Sequence, residues 1–290
     1  MKLNSVGLIM VFNSSSDSRF TESEYARFRS FLERNCGILL GENKNYLIDS
    51  RLRKIMRDQD IDSLDALISR IDRLGGDSLK QAVIDAMTTN ETLWFRDRHP
   101  FEFLKNDLMP EFLRGADPNL KVWCAACSSG QEPYSISISL AEFKRSNPSV
   151  TKDFKILATD ISKTILDLAK SGTYESLMLN RGLSQDRLQQ FFTQTSPTQW
   201  QVKQDIRQRI EFKQYNLKDN FTSLGRFDIV FCRNVLIYFS SEFQNEILRK
   251  IHGVLKPGGY LFLGGSETPR GLNELFEVRY YSPGVVYKKK

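Results

Sequence analysis

The chain has 290 residues, 40% hydrophobic and 26% charged, the proportions of an ordinary folded protein of one large or two average domains. With 41 basic and 35 acidic residues the net charge is +6, which favours an acidic partner and leaves nucleic acid, an anionic membrane surface and a glutamate-rich protein open. No apolar run reaches the ~18 residues of a membrane helix, and the mildly apolar residues 3–12 lack a small-residue cleavage site, so neither a span nor a signal peptide is expected and the location reads as cytoplasmic.

Residues 1–19 read as a flexible leader around Asn13-Ser14-Ser15-Ser16-Asp17-Ser18. Residues 20–90 read as a small all-helical domain. Thr21-Glu22-Ser23-Glu24 is a capping-box signature, with Tyr25, Phe28, Phe31 and Leu32 following at helical spacing. Leu47, Ile48, Leu52, Ile55 and Met56 mark the buried side of a second helix over 45–57. Ser63 caps a third carrying Leu64, Leu67, Ile68 and Ile71, which stops at Gly75-Gly76; a fourth spans 78–87. Arg51, Lys54 and Arg57 recur every three residues on the second helix, away from Leu52 and Ile55. Alone, such a row is an ordinary solvated face.

Residues 91–290 read as a second domain. From about 120, strands are expected at 121–126, 154–159, 209–215, 227–232 and 259–264, and helices at 133–145, 161–171 and 241–255. This alternation argues for an α/β fold with a mainly parallel sheet covered on both faces. Ser282-Pro283-Gly284, between two β-rich runs, adds an antiparallel C-terminal hairpin at the edge. The stretch of about 173–208 is too long for a simple connection. It reads as an inserted small subdomain, with a helix over 184–192 and a short strand over 199–203.

The first strand runs into a bend of small residues, Ala125-Ala126-Cys127-Ser128-Ser129-Gly130, and then a helix; 28 residues past Glu132 the second strand ends in Asp160. An open α/β sheet holds a nucleoside this way: small residues let the backbone approach, and an acid takes the ribose hydroxyls. One glycine rather than three makes a dinucleotide enzyme a poor match. With Lys256-Pro257-Gly258-Gly259 before the fifth strand, the pattern suggests an S-adenosylmethionine (SAM) methyltransferase. Cys124 and Cys127 form a C-x-x-C, but Cys36, Cys232, His99 and His252 stand alone. A metal site is therefore not expected, and Cys124 reads as small-residue packing on the strand.

Five segments carry a family resemblance: Met87-Thr88-Thr89-Asn90-Glu91-Thr92-Leu93-Trp94-Phe95-Arg96, Ser129-Gly130-Gln131-Glu132-Pro133-Tyr134-Ser135, Ala158-Thr159-Asp160-Ile161-Ser162, Tyr215-Asn216-Leu217 and Phe231-Cys232-Arg233-Asn234-Val235-Leu236-Ile237-Tyr238-Phe239. In order and spacing they closely resemble the bacterial chemotaxis receptor methyltransferases, the CheR family, from about residue 20 onward. The resemblance implies SAM-dependent methylation of glutamates on chemoreceptor cytoplasmic helices, leaving S-adenosylhomocysteine, by a monomer with no nucleic-acid partner. It implies a cofactor site of Asn90, Thr92, Arg96, Ala126, Glu132, Asp160, Asn216, Leu217, Asn234 and Val235. Asp160 would take the ribose, and Asn216 and Leu217 would lie beside the adenine. Arg96 and Tyr238 would orient the acceptor carboxylate, and Arg51, Lys54 and Arg57 would meet the acidic methylation helix. Gln131 stands where an acid is common; Glu132 remains, so little loss of binding is expected.

Some members of the family grip a receptor's C-terminal pentapeptide by adding a strand to the inserted subdomain. Those members carry a glycine-bearing loop where this chain has Thr193-Gln194-Thr195-Ser196-Pro197-Thr198-Gln199-Trp200, without glycine. Pro197 also lacks the N–H an added strand would need, so the tether peptide is not expected to be required. Two rivals remain on the same fold: methylation of RNA or a small molecule, and a SAM-sensing module without transfer. Arg96 and Tyr238 argue against the sensor; the basic helix and the insertion argue against a small acceptor.

Overall fold

The computed structural model describes residues 19–115 and 119–290; the leader expected at 1–19 lies outside them but for Arg19. Four helices, α1 (Glu22–Cys36), α2 (Asn45–Asp58), α3 (Leu64–Ile71) and α4 (Asp77–Met87), form the N-terminal unit. The local signals act as expected. Thr21 and Glu24 close the capping box, and the Ser63 hydroxyl accepts from the Ala66 N–H. Phe28, Phe31, Leu32, Ile48, Leu52, Met56, Leu64, Leu67 and Val83 build an apolar cluster of its own, each buried large side chain contributing ~1.5–3 kcal/mol. Gly37 ends α1 with φ +76°, and a Cβ there would come within 2.2 Å of the Phe243 ring. Glycine thus both stops the helix and lets it dock on the second unit.

Two short helices, α5 (His99–Phe103) and α6 (Met109–Leu113), joined by a π-helical turn at Leu104–Leu108, lead into the sheet. The sequence reading assigned nothing here. Phe101, Leu104 and Leu108 have helical spacing and are buried, but Pro100 and Pro110, each in the first turn of its helix, bracket a run too short to mark a helix by period.

The remaining elements, in chain order, are β1 (Asn119–Ala125), α7 (Gln131–Ser146), β2 (Asp153–Asp160), α8 (Lys163–Ser171), β3 (Thr173–Glu175), α9 (Ser176–Leu179), α10 (Gln185–Phe191), β4 (Phe192–Gln194), β5 (Gln199–Val202), α11 (Gln204–Arg207), β6 (Ile210–Gln214), β7 (Phe227–Cys232), α12 (Ser241–Val254), β8 (Leu255–Leu263), β9 (Phe276–Tyr281) and β10 (Gly284–Lys289). The main sheet has the order β6-β2-β1-β7-β8-β10-β9. The first five are parallel, and β10 runs antiparallel to both β8 and β9. Side chains alternate between two cores: Val122, Cys124, Ile229 and Phe231 face one, Trp123, Ala125, Val230 and Cys232 the other. Burial on both faces explains the unbroken apolar runs of β1 and β7.

Two departures from the sequence reading, beyond shifts of a residue or two at element ends, concern the fifth strand and the insertion. β8 starts at Leu255 rather than 259, because Lys256-Pro257-Gly258 is absorbed as a bulge where the pairing with β7 shifts between Phe227 and Ile229. The insertion holds a three-stranded antiparallel sheet, β3-β5-β4, where one strand was expected; β3 and β4 are only three residues long, too short to show a period. The order of the main sheet reverses between β1 and β7, and in such sheets ligands bind beyond the carboxyl ends of the strands at that point.

Candidate functional site

At that reversal five loops converge on a cleft with about 1340 Å³ of empty space, its open mouth included. Asn90, Thr92, Arg96, Ala126, Glu132, Asp160, Asn216, Leu217, Asn234, Val235 and Tyr238 all line it. Backbone strain gathers here. Phe95, Asp97, Arg98, Ala126, Ser128 and Asn234 have φ between 49° and 67°; among the described residues only one other non-glycine residue, Asp60, shares this feature. Such conformations cost ~1–3 kcal/mol each and persist where surrounding bonds enforce them.

Those bonds are visible. The Asp160 carboxylate, on a residue 7% exposed, accepts from the Ser128 N–H at 2.8 Å and the Ser162 N–H at 3.0 Å. Burial pushes its carboxyl above the ordinary value, against the pull of the Ser162 and Ser128 N–H groups. The Ser128 hydroxyl donates to the Asn90 carbonyl at 2.8 Å, tying the segment before β1 to the loop after it. The Phe95 N–H donates to the Ser135 hydroxyl at 3.0 Å. The insertion buttresses this segment: Trp94 packs edge-on against Tyr174 and Phe192. Its backbone N–H donates to the Arg181 carbonyl, and a Cβ at Gly182 would lie 2.1 Å from the Trp94 carbonyl oxygen.

Arg233 is the residue the sequence reading missed. Its side chain is 1% exposed and pairs with Glu132 at 2.8 Å and Asp97 at 2.6 Å. It also donates to the Arg96 carbonyl, and its Nε is buried without a partner. Glu132 in turn accepts from the Cys124 thiol at 3.0 Å. The arginine therefore locks the segment carrying Arg96 to the start of α7. Removing one member of such a buried network costs ~3–5 kcal/mol. An arginine directly after the apolar run Ile229-Val230-Phe231-Cys232 was the available signal. The thiols of Cys124, Cys127 and Cys232 are buried and raised by desolvation, in keeping with packing.

The helical unit forms one wall of the cleft. The Leu39 N–H donates to the Tyr238 carbonyl at 2.8 Å, and the Asn216 amide donates to the Asn35 carbonyl at 2.7 Å. Arg51 differs in setting from the other two cations of its row. It donates to the Met87 and Thr88 carbonyls and the Thr89 hydroxyl and lines the cleft. Its guanidinium is spent on the end of α4, which a spacing argument cannot reveal. Lys54 and Arg57 are exposed; among the described residues Arg57 meets only its neighbour Asp58, at 3.5 Å. Among the described residues the Arg96 guanidinium makes one long contact, 3.5 Å to the Glu91 carbonyl.

In the insertion, Pro197 lies in the turn Thr195–Thr198 between β4 and β5, closed by the Thr195 N–H on the Gln199 carbonyl. It belongs to neither strand, so its missing N–H does not bear on strand addition. The absence of glycine from residues 193–200 is the part of the sequence argument that remains.

Comparison with known proteins agrees with this architecture. The family described as "CheR methyltransferase, SAM binding domain" matches residues 90–284, and "CheR methyltransferase, all-alpha domain" matches residues 23–88. "Chemotaxis protein methyltransferase Cher2" of Pseudomonas putida is 55% identical over 269 residues, covering 92% of this chain and 98% of that protein. "Chemotaxis protein methyltransferase 1" of Pseudomonas aeruginosa is 51% identical over 270 residues, with the same coverage. "Chemotaxis protein methyltransferase" of Vibrio parahaemolyticus is 43% identical, over 93% of this chain and 98% of that one. On these matches, over both the helical unit and the α/β unit, the chain belongs to the CheR methyltransferase family.

Proposed function

We propose that this enzyme transfers methyl from SAM to glutamate side chains on the cytoplasmic helices of chemoreceptors, forming glutamyl methyl esters. The observation that carries the reading is the meeting of the cofactor cleft, Arg96 and Tyr238 with a helical unit whose exposed face carries Lys54 and Arg57. The names of the relatives supply the chemotaxis setting.

The cleft fits the cofactor chemically. The Asp160 oxygens each accept one N–H and keep lone pairs for a ribose diol. The Asn216 side chain is engaged by the Asn35 carbonyl and the Lys218 N–H, so it fixes the loop, and Leu217 beside it offers an apolar surface for the adenine. Bound SAM supplies a methyl already activated on a sulfonium. The acceptor carboxylate is ionised at neutral pH, so the protein needs no strong base. Its task is to hold oxygen, methyl carbon and sulfur in line and keep water out. Arg96, with its guanidinium nearly unengaged, holds the acceptor carboxylate. The Tyr238 hydroxyl orients it from the facing loop. Arg233 keeps the Arg96 segment in place from beneath. Lys54 and Arg57 draw in the acidic helix, and Arg51 completes the wall between docking face and cleft.

The test is incubation with methyl-tritiated SAM and a purified receptor cytoplasmic fragment. Counts released as methanol by mild alkali support an ester; alkali-stable counts, or transfer only to RNA, would reject the acceptor.

A further inference from the structure

The loop bearing Asn234 and Tyr238 has no regular structure beyond one 3-10 turn, Leu236–Tyr238, yet Asn234 is held at φ 58°. Something outside the loop must hold it. After β8 the chain turns through Gly264-Gly265-Ser266 to Glu267, which is 6% exposed. One of its carboxylate oxygens accepts from the Asn234 N–H at 2.7 Å and the Gly264 N–H at 2.7 Å; the other accepts from the Leu236 N–H at 2.8 Å. Among the described residues no basic side chain pairs with it. Three backbone N–H groups are thus what offsets the desolvation of this charge.

The approach is tight. A Cβ at Gly264 would lie 2.6 Å from the Glu267 oxygen and 2.9 Å from the Asn234 nitrogen. Only glycine lets the turn close on the loop. The carboxylate spans the gap between the end of β8 and the loop after β7, and two of its three donors belong to the loop that lines the cleft.

We propose that Glu267 is a positioning residue: its carboxylate sets the loop from Asn234 to Tyr238 in the geometry that binds cofactor and presents Tyr238 to the acceptor. Glutamine cannot replace it. An amide offers one accepting oxygen, and its NH2 would face an N–H, leaving either Leu236 or the Asn234–Gly264 pair without an acceptor. The inference rests on the proposed role of this loop but not on the identity of the acceptor.

Glu267→Gln and Gly264→Ala, the second displacing an intact carboxylate, test it in the full-length protein. In calorimetry with S-adenosylhomocysteine, each should raise the Kd at least about tenfold at unchanged stoichiometry. In the methylation assay each should lower kcat and leave the receptor KM unchanged. A normal Kd and kcat, or a loss confined to stoichiometry and melting temperature, would overturn the proposal, since a merely structural carboxylate removes folded molecules without altering those that remain. Should neither variant fold, hydrogen–deuterium exchange on the wild type decides. The Asn234, Leu236 and Gly264 amides should be protected without ligand and more so with it; unprotected exchange would overturn the assignment. Ligand binding by a wild type that fails to methylate receptor would reject the acceptor and leave this inference standing.

Discussion

Removing the Asp160 carboxylate should weaken the cofactor site while leaving the fold in place. Each oxygen already accepts one backbone N–H, from Ser128 or Ser162, so the ligand shares oxygens that are in use. The safe floor is therefore one charge-assisted hydrogen bond, worth ~1.5–3 kcal/mol, or about 10- to 150-fold in Kd. Asp160→Ala should show at least that loss for S-adenosylhomocysteine by calorimetry, at unchanged stoichiometry. A further ~1–3 kcal/mol of stability is at stake, because the Ser128 N–H is left buried without an acceptor. Burial raises the Asp160 carboxyl in the unliganded protein. Its contribution to stability is thus present in acid and lost as pH rises through the raised value. Affinity should accordingly fall as pH drops through a value above the ordinary 3.8, and that acid limb should be missing in Asp160→Asn. A near-normal Kd for Asp160→Ala would refute the reasoning.

Four other outcomes are expected. Tyr238→Phe should keep the melting temperature and lose rate; unfolding, with normal turnover by the residual folded enzyme, would make Tyr238 structural. Reversing the charges of Lys54 and Arg57 should raise the receptor KM with cofactor affinity unchanged, and added salt should weaken docking over a ~10 Å screening length at 0.1 M; a salt-independent KM, normal in the variant, would show a merely solvated face. Titration with a receptor C-terminal pentapeptide should give no saturable heat, and tailless receptors should be methylated at the full rate, whereas micromolar binding would assign this enzyme to the tethered members. Burial raises the Glu142 carboxyl, but hydrogen bonds from Arg187 and Lys105 outweigh it and hold it below the ordinary value. Its stability contribution is therefore present above the unfolded value and lost as pH falls through the folded one, so Glu142→Gln should lower the melting temperature at pH 7 and cease to matter in acid.

What the sequence disclosed was what is local. The Thr21–Glu24 box, the Ser63 cap, the small-residue bend after β1 and the alternating strands all rest on neighbours within a few positions. The role of Arg233 does not: its partners Glu132 and Asp97 lie 101 and 136 positions away. Spacing grouped Arg51 with Lys54 and Arg57, but Arg51 is committed to a carbonyl 36 positions on. Helical spacing places a residue on a side of a helix, and only tertiary packing says what that side meets. The helices before β1 were hidden for a different reason, since Pro100 and Pro110 bracket a run too short to establish a period. The strained positions at Ala126, Ser128 and Asn234 left no mark either, because none is glycine.

The measurement that bears most directly on the account is residue-level mapping of the product. A receptor cytoplasmic fragment incubated with enzyme and SAM should, by tandem mass spectrometry, carry methyl groups on glutamate carboxylates of its helices, abundant with wild type and scarce with Tyr238→Phe. Methyl groups on lysine, arginine or a chain terminus, or an unmodified receptor under conditions where the enzyme binds cofactor, would contradict it.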